Sequence, residues 1–196
     1  MNRLAWLAVG LLVLGGCRSV PERDGEPGEF LAERQAAFAG LERWRASGRL
    51  AVSDGERGGS ANFDWIDAAD GYSVRLRRGQ GRWVLEVAPG VAVLRGTRVG
   101  RSRAAEPEPL VSEALGWPVP VNHLRDWLRG LTGSARARIA YADNGSLERL
   151  RYDGWQVEYR GFETVAGVLL PTRLEATSGP YRVRVVIRDW SLAPET

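Results

Sequence analysis

Most of the chain alternates between apolar and polar residues with a period of two. This is the spacing of a β-strand that buries only one face. The alternation runs through Leu50 and Val52, Ala61 to Trp65, Tyr72 to Leu76, Trp83 to Val87, Trp155 to Tyr159 and Tyr181 to Ile187. Turn signals such as Asp70-Gly71 and Asp153-Gly154 separate these segments. The pattern predicts about ten short antiparallel strands.

Two or three segments have helical spacing instead. Apolar residues from Phe30 to Trp44 predict an amphipathic helix over residues 29–46, ended by Gly48. A short helix is predicted over Leu110 to Leu115, with Gly116 as its C-terminal cap.

Asn122 is a good N-cap for a third helix, which has Leu124, Trp127 and Leu128 on one face. Later in the chain, Leu169-Leu170-Pro171 predicts a strand with proline near a sheet edge. The helices are few and do not alternate with the strands. The fold class is therefore mostly β with helices (α+β), built on an antiparallel sheet that is strongly curved or partly closed.

The N-terminus has the features of a secretory signal. Asn2-Arg3 precedes an apolar run from Leu4 to Leu14 that is too short to span a bilayer. Leu14-Gly15-Gly16-Cys17 resembles a bacterial lipobox and contains the only cysteine of the chain. The sequence therefore predicts a signal peptide over residues 1–16 and lipidation of Cys17; the alternative is an ordinary signal peptide with an incidental cysteine.

The residue after the cysteine indicates the destination. In lipoproteins of this class an aspartate at that position commonly signals retention in the inner membrane, and the chain has Arg18 there. We therefore expect a lipid anchor in the periplasmic face of the outer membrane. Residues 17–28 are rich in Pro, Gly and charge and predict a flexible tether, with the folded domain over residues 29–196.

The sequence offers little for catalysis. One Cys and one His exclude a Cys/His zinc site, and the chain has no Gly-x-Ser-x-Gly, P-loop or dinucleotide-binding motif. His123 and the carboxylates Glu86, Asp126, Glu158 and Glu163 are the remaining candidates, and solvated or interface positions explain them better. We therefore expect no enzyme activity, no cofactor and no metal. A net charge of +3 does not predict nucleic-acid binding.

Tryptophan is the more informative residue. Seven of the eight tryptophans lie outside the signal segment, and many fall on the apolar face of a predicted strand or helix. Each could be an ordinary core residue. Together, they also fit a curved sheet that encloses an apolar ligand cavity.

One segment carries a specific family resemblance. Residues 115–131 (LGWPVPVNHLRDWLRGL) resemble the outer-membrane lipoprotein receptor family LolB. The same family pattern appears in order as Trp44 with Gly48 to Val52, as Phe63-x-Trp65, as Asp153 to Tyr159, as Leu170-Pro171 and as a last strand ending at Trp190. The resemblance implies an incompletely closed barrel of about eleven antiparallel strands, capped by about three helices, with a hydrophobic cavity.

The resemblance also implies a function without covalent chemistry. Family members take lipoproteins from the periplasmic carrier LolA and insert their acyl chains into the outer membrane. We expect the partners to be lipoprotein acyl chains, a LolA-like carrier and the inner leaflet of the outer membrane, and the protein to be a monomer. The alternative is an anchored lipoprotein that binds another apolar ligand or scaffolds an envelope complex.

Strand alternation and the family pattern together predict the cavity lining. The predicted residues are Leu50, Val52, Phe63, Trp65, Val74, Leu76, Leu85, Trp117, Leu124, Trp127, Trp155, Val157, Val183 and Val185.

The chain departs from the family at a hairpin tip. The family has Pro-Leu-Gly after the third strand, and the exposed Leu is implicated in membrane insertion. Here the tip is Gly79-Gln80-Gly81, with Gln80 in the place of the Leu. Either Trp83 and Val84 act as the apolar wedge instead, or the insertion step is altered. Arg77, Arg78 and Arg82 flank the tip. They form either a solvated strand face or a contact with anionic lipid headgroups.

Overall fold

The structure is a computed structural model of the chain. It describes residues 29–97, 100–116, 118–132, 136–143 and 145–192, without the side chains of residues 29, 30 and 115. The helices are α1 (Glu29–Ala39), α2 (Pro107–Leu115) and α3 (Val121–Arg129). The strands are β1 (Arg43–Ser53), β2 (Gly58–Ala68), β3 (Gly71–Arg78), β4 (Gly81–Ala88), β5 (Val91–Gly96), β6 (Gly100–Ala104), β7 (Arg138–Tyr141), β8 (Leu147–Tyr152), β9 (Trp155–Val165), β10 (Val168–Ser178) and β11 (Tyr181–Leu192).

All eleven strands form one antiparallel sheet in the order β6-β5-β4-β3-β2-β1-β11-β10-β9-β8-β7. Strand β1 joins the two runs of hairpins by pairing with both β2 and β11. The end strands β6 and β7 do not pair with each other, so the sheet stays open. This confirms the predicted fold class, an incompletely closed antiparallel barrel with three helices.

The turns divide the sheet into two ends. The turns at 54–57, 79–80, 153–154 and 179–180 lie at one end, which we call the tip end. The turns at 69–70, 89–90 and 166–167 lie at the opposite end. Because consecutive strands are antiparallel, every second hairpin returns to the same end.

A bulge in β1 helps to bend the sheet at its centre. The pairing of β1 with β11 shifts between Ser47 and Gly48. A Cβ atom at Gly48 would lie 2.0 Å from the carbonyl oxygen of Val186, so only glycine permits this close approach. Bulges increase local twist and bend the strand that carries them.

The predicted first helix was too long. Helix α1 ends at Ala39 and strand β1 begins at Arg43, so Trp44 lies in the sheet. Trp44 and Ala46 are buried while Arg43 and Arg45 are exposed, which is strand alternation. Phe38 and Trp44 are in contact, with ring centroids 5.9 Å apart, but Phe38 belongs to α1 and Trp44 to β1. The apolar spacing that predicted one long helix therefore spans two elements.

The prediction for Pro171 holds locally, whereas the N-cap prediction for the third helix was wrong. Strand β10 lies between β9 and β11 in the sheet order, but its pairing with β11 covers only Arg173 to Ser178. Pro171 therefore lies in a stretch of β10 that has no β11 ladder, where proline is tolerated. Pro120, rather than Asn122, occupies the N-cap position of α3, and the Glu108 carboxylate accepts the backbone N–H of Asn122 at 2.9 Å.

The helices lie against the sheet at different places. Helix α2 contacts β5 and β6, α3 contacts β10 and α2, and α1 contacts β10. No helix in the described part of the chain is both long and apolar enough to cross a bilayer. The helices therefore cover the sheet, and the space beneath α2 and α3 is where a site can form.

Candidate functional site

An apolar cavity lies between the sheet and helices α2 and α3. Its volume is about 50 Å³. Every described residue that lines it is hydrophobic; these residues are Leu50, Phe63, Trp65, Val74, Leu76, Trp83, Leu85, Leu94, Val111, Ala114, Val119, Val121, Leu124, Leu128 and Val185. We call this space the main cavity. Such a wall can shelter hydrocarbon from water but offers no group for acid–base or nucleophilic chemistry.

The main cavity is narrow in this structure. Ligand pockets usually occupy about 300–1,000 Å³, several times the volume found here. Helix α2 contributes Val111 and Ala114 to the wall, and α3 contributes Val121, Leu124 and Leu128. An acyl chain can therefore enter only if these helices move away from the sheet or the lining side chains change rotamer.

A second space adjoins the main cavity and opens toward the tip end. Its volume is about 140 Å³. It shares Leu50, Leu76, Trp83 and Ala114 with the main cavity. We call it the side opening. Side chains thus fill most of the interior of the curved sheet, and the side opening leads to the main cavity.

Eight of the predicted cavity residues lie in the wall of the main cavity. They are Leu50, Phe63, Trp65, Val74, Leu76, Leu85, Leu124 and Val185. Val52 lines the side opening. Strand alternation found these residues because all but Leu124 point to the concave face of the sheet, and Leu124 lies on the apolar face of α3.

Five predicted residues lie outside this wall. Trp127, Val157 and Val183 are buried in the core. Trp155 is half-buried, packs on Trp127 with centroids 5.5 Å apart, and lines a surface groove beside Arg138 and Arg151. Trp117 lies outside the described residues. Contact of any predicted residue with a ligand stays a prediction.

The sequence did not predict seven residues of the cavity wall. Six of them were not singled out as lining residues, and the seventh, Trp83, was predicted to act in membrane insertion instead. The six are Leu94, Val111, Ala114, Val119, Val121 and Leu128. Leu94 could have been found from alternation in β5, and Leu128 from its four-residue spacing to Leu124. The α2 residues could not, because which face of that helix meets the sheet depends on the packing.

A polar cluster attaches α3 to the sheet beside the main cavity. The Arg125 guanidinium donates to both Asp67 carboxylate oxygens, at 2.5 and 2.7 Å, and Asp67 is only 5% exposed. The hydrogen bond to Asp67 raises the pKa of Arg125. The Tyr72 hydroxyl donates to the side-chain oxygen of Asn122 at 2.9 Å, and burial raises the pKa of Tyr72 above its usual range. These bonds fix the position of α3 on β2 and β3.

Stacked aromatic rings fill the concave face at the end opposite the tips. Trp65 stacks on Tyr72 with centroids 4.9 Å apart, and Trp44 stacks on Trp65 at 6.2 Å. Trp190 lies 5.6 Å from Trp44, and its indole N–H donates to the Pro171 carbonyl. Several of the tryptophans are therefore core residues. Because these rings fill the end opposite the tips, the empty space lies nearer the tip end.

The predicted insertion residues lie in two environments. Gly79 and Gln80 form the exposed turn between β3 and β4. The Trp83 indole instead lies flat on the concave face, since Cβ atoms at Gly81 and Gly96 would stand only 2.5 and 2.3 Å from its ring. Trp83 therefore does not project from the tip in this structure. Its role in membrane insertion stays a prediction, as do those of Gly79, Gln80 and Gly81.

Four of the five residues considered for catalysis take part in structural contacts, namely His123, Asp126, Glu86 and Glu158. His123 Nε2 lies 3.2 Å from the Asp153 carboxylate, and the His123 ring stacks on Trp127. Asp126 pairs with Arg129 within α3.

The strand carboxylates are similarly placed. Glu86 pairs with Arg95. The hydrogen bond from Arg160 holds the pKa of Glu158 below its usual range. Within the described residues, no three potential metal-ligating side chains cluster.

Comparison with known sequences gives the family. The profile of the family described as "Outer membrane lipoprotein LolB" matches residues 42–190. An outer-membrane lipoprotein LolB from Alkalilimnicola ehrlichii is 38% identical over 98% of both chains. A relative of the same name from Pseudomonas fluorescens is 34% identical over 89% of this chain and 86% of its own.

Solved structures share the fold at low sequence identity. A LolA superfamily protein from Nitrosomonas europaea has a TM-score of 0.56 at 8% identity, covering 88% of this chain and 96% of its own. A DUF1329 family protein from Desulfovibrio piger has a TM-score of 0.59 at 8% identity, covering 86% and 92%. The family profile and the 38% identity confirm the resemblance carried by residues 115–131: this chain belongs to the outer-membrane lipoprotein LolB family.

Proposed function

We propose that this protein accepts lipoproteins from a LolA-like periplasmic carrier and inserts them into the inner leaflet of the outer membrane. The observation that carries the proposal is a cavity whose lining is entirely hydrophobic, in a chain of the LolB family. The protein would be held at the membrane by lipid on Cys17, with the tether of residues 17–28 between anchor and domain.

The physical need for such a cavity follows from the cost of exposing acyl chains. Each buried CH₂ contributes roughly 0.8 kcal/mol, so a sixteen-carbon chain in water costs on the order of 12 kcal/mol. Two or three such chains cannot cross the periplasm unprotected. Transfer must therefore run from one apolar cavity to another.

The direction of transfer requires no covalent step. A chain moves from carrier to acceptor if the acceptor, or the bilayer behind it, binds the chain more favourably. The narrow main cavity fits a receptor whose interior widens when an acyl chain enters. Its residues exclude water and hold hydrocarbon, and the Arg125–Asp67 pair keeps α3 in place when the cavity is empty.

A volume-filling substitution tests this function. Ala114 lines both the main cavity and the side opening, so Ala114→Phe would place a ring where the acyl chain must lie. We expect transfer from a loaded carrier to the full chain in vesicles to fall at least about ten-fold, equivalent to roughly 1.4 kcal/mol. Ala36→Phe, on an exposed position of α1, is the matched control and should transfer normally.

Cellular depletion separates the proposal from the alternative. If the protein is a lipoprotein acceptor, its depletion will leave many different lipoproteins out of the outer membrane. Normal lipoprotein localisation after depletion, together with full transfer by Ala114→Phe, would instead favour a protein that binds another apolar ligand.

A further inference from the structure

Three spaces meet at the tip end of the sheet. The main cavity adjoins the side opening, and the side opening adjoins a groove of about 480 Å³ at the β3–β4 hairpin. We call this third space the tip groove; it is lined by Arg78, Gln80, Gly81, Trp83 and Thr97. Together the three spaces form a path from the main cavity to the outside of the protein.

Trp83 is the residue at which the path narrows. It is the one residue that lines all three spaces. Gly81 and Gly96 have no side chains to push its ring away from the sheet, so the indole lies flat between them. A broad, amphipathic ring in this position suits the boundary between hydrocarbon and the polar headgroup region of a bilayer.

Arg78 is the charged residue among the described residues of the path. It lines both the side opening and the tip groove, and none of the described residues in these two linings is an Asp or Glu. On the outer face of the same hairpin, Arg77 lies directly opposite Arg82 in the strand pairing. No described carboxylate lies within ion-pair distance of these three arginines, whereas arginines elsewhere on the sheet, such as Arg95 and Arg184, are paired.

An unpaired arginine next to an apolar groove suits a ligand that has both a phosphate and a hydrocarbon chain. Guanidinium groups bind phosphate oxygens through paired hydrogen bonds. A groove that leads from the guanidinium into a hydrocarbon-lined interior suits an acyl chain attached to that phosphate. Like charges directly opposite each other destabilise a sheet, so their presence at this hairpin favours an anionic partner.

We propose that the tip groove and side opening bind a phospholipid of the membrane, with its phosphate on Arg78 and one acyl chain beside Trp83. The proposal rests on the proposed function and deepens it. The bound phospholipid extends the bilayer's hydrocarbon to the edge of the main cavity. A lipoprotein acyl chain then leaves the protein along this path without crossing water.

Photo-crosslinking tests the site. The full chain is placed in phosphatidylethanolamine vesicles that contain phosphatidylglycerol with a photoreactive group in one acyl chain. Trypsin cleaves after Arg82 and Arg95, so residues 83–95 form one peptide that carries Trp83. Residues 161–173 form another peptide, which contains the 166–167 turn at the opposite end of the sheet.

We expect residues 83–95 to carry at least about five times more label than residues 161–173. Arg78→Gln should remove most of that excess, while Arg188→Gln, the same charge change on an exposed β11 residue, should retain it. Photoreactive diacylglycerol, which has the chains but no phosphate, should label residues 83–95 several-fold less. Equal labelling of the two peptides, an unchanged signal in Arg78→Gln, or equal labelling by diacylglycerol would overturn the proposal.

Failure of this site is distinguishable from failure of the proposed function. Arg78→Gln should still take lipoprotein from a loaded carrier, because Arg78 does not line the main cavity, but should deliver it to vesicles several-fold more slowly. Normal delivery by this variant would also count against the lipid site. If the unaltered protein takes no lipoprotein from the carrier, the proposed function fails whatever the crosslinking shows.

Discussion

The two sides of the sheet bury their concave faces to different degrees. The core half, strands β8–β11 with α1 and α3, buries Leu150, Val157 and Leu170 to 1% exposure or less. The cavity half, strands β2–β6 with α2, leaves Leu76 and Trp83 only partly buried around empty space. Both halves show the same alternation of residues. The difference arises from how much side-chain volume covers each face.

The convex faces of both halves carry ion pairs, and in the cavity half two arginines also lie opposite each other in the strand pairing. In the core half, Glu175 accepts hydrogen bonds or ion pairs from Arg182 and Arg184. In the cavity half, Arg77 faces Arg82 across the β3–β4 pairing. The cavity half thus keeps both the empty space and the unpaired charge that binding requires.

The largest effect that we expect from the difference between the two halves appears when a tryptophan of each half is removed. Trp127 is 1% exposed and packs against His123 and Trp155, so Trp127→Ala should lower the free energy of unfolding by about 3–5 kcal/mol. Trp83→Ala should lower it by roughly 1–2 kcal/mol, because Trp83 is half-buried and borders empty space. Urea denaturation of the two variants measures both values. Equal losses would contradict the division into a core half and a cavity half.

A second test concerns the attachment of α3 to the cavity half. Asp67→Asn leaves Arg125 without its anionic partner and should cost about 2 kcal/mol, since the pair is largely shielded from solvent. We also expect the variant to bind an apolar fluorescent probe more strongly than the unaltered protein, because α3 is held less firmly over the main cavity.

The matched control for Asp67→Asn is Glu86→Gln. Glu86 pairs with Arg95 on the solvent side of the same half, where both side chains are about half exposed. Its loss should cost less than about 1 kcal/mol and leave probe binding unchanged. If both variants lose equal stability, the Arg125–Asp67 pair does not hold α3 in the manner described.

The smallest expected effect concerns the core half at high pH. Tyr159 is fully buried, its hydroxyl donates to the Trp127 carbonyl at 3.1 Å, and burial raises its pKa above the usual range. A raised pKa favours the neutral folded form. Its stabilisation is therefore complete below the unfolded pKa of about 10 and is lost as pH rises above that value.

Tyr159→Phe should cost about 1 kcal/mol at pH 7, through loss of that hydrogen bond. Above pH 10 it should lose stability less steeply than the unaltered protein, because one buried group can no longer ionise. Denaturation midpoints between pH 7 and 11.5 provide the measurement. Parallel curves for the two proteins would show that Tyr159 does not contribute to the alkaline loss.

Sequence patterns predicted the repeating parts of the molecule well and the boundaries less well. Alternation found the strands, and an incompletely closed antiparallel sheet followed from their number and turns. The first helix was extended over β1 because Phe38, Leu41 and Trp44 follow one another at intervals of three residues, which fits a helix. Pro171 was placed near an edge, and it does lie where β10 has no β11 ladder, although the sequence did not show that β10 continues as a central strand.

The chain's order of apolar and polar residues was sufficient to establish which side chains leave water and which segments pair. It could not establish which of those side chains border empty space. That outcome depends on where α2 and α3 come to lie on strands distant in sequence, and on two glycines that let Trp83 lie flat. Alternation reports the face on which a residue sits, whereas a cavity is the volume that remains after opposing faces have packed.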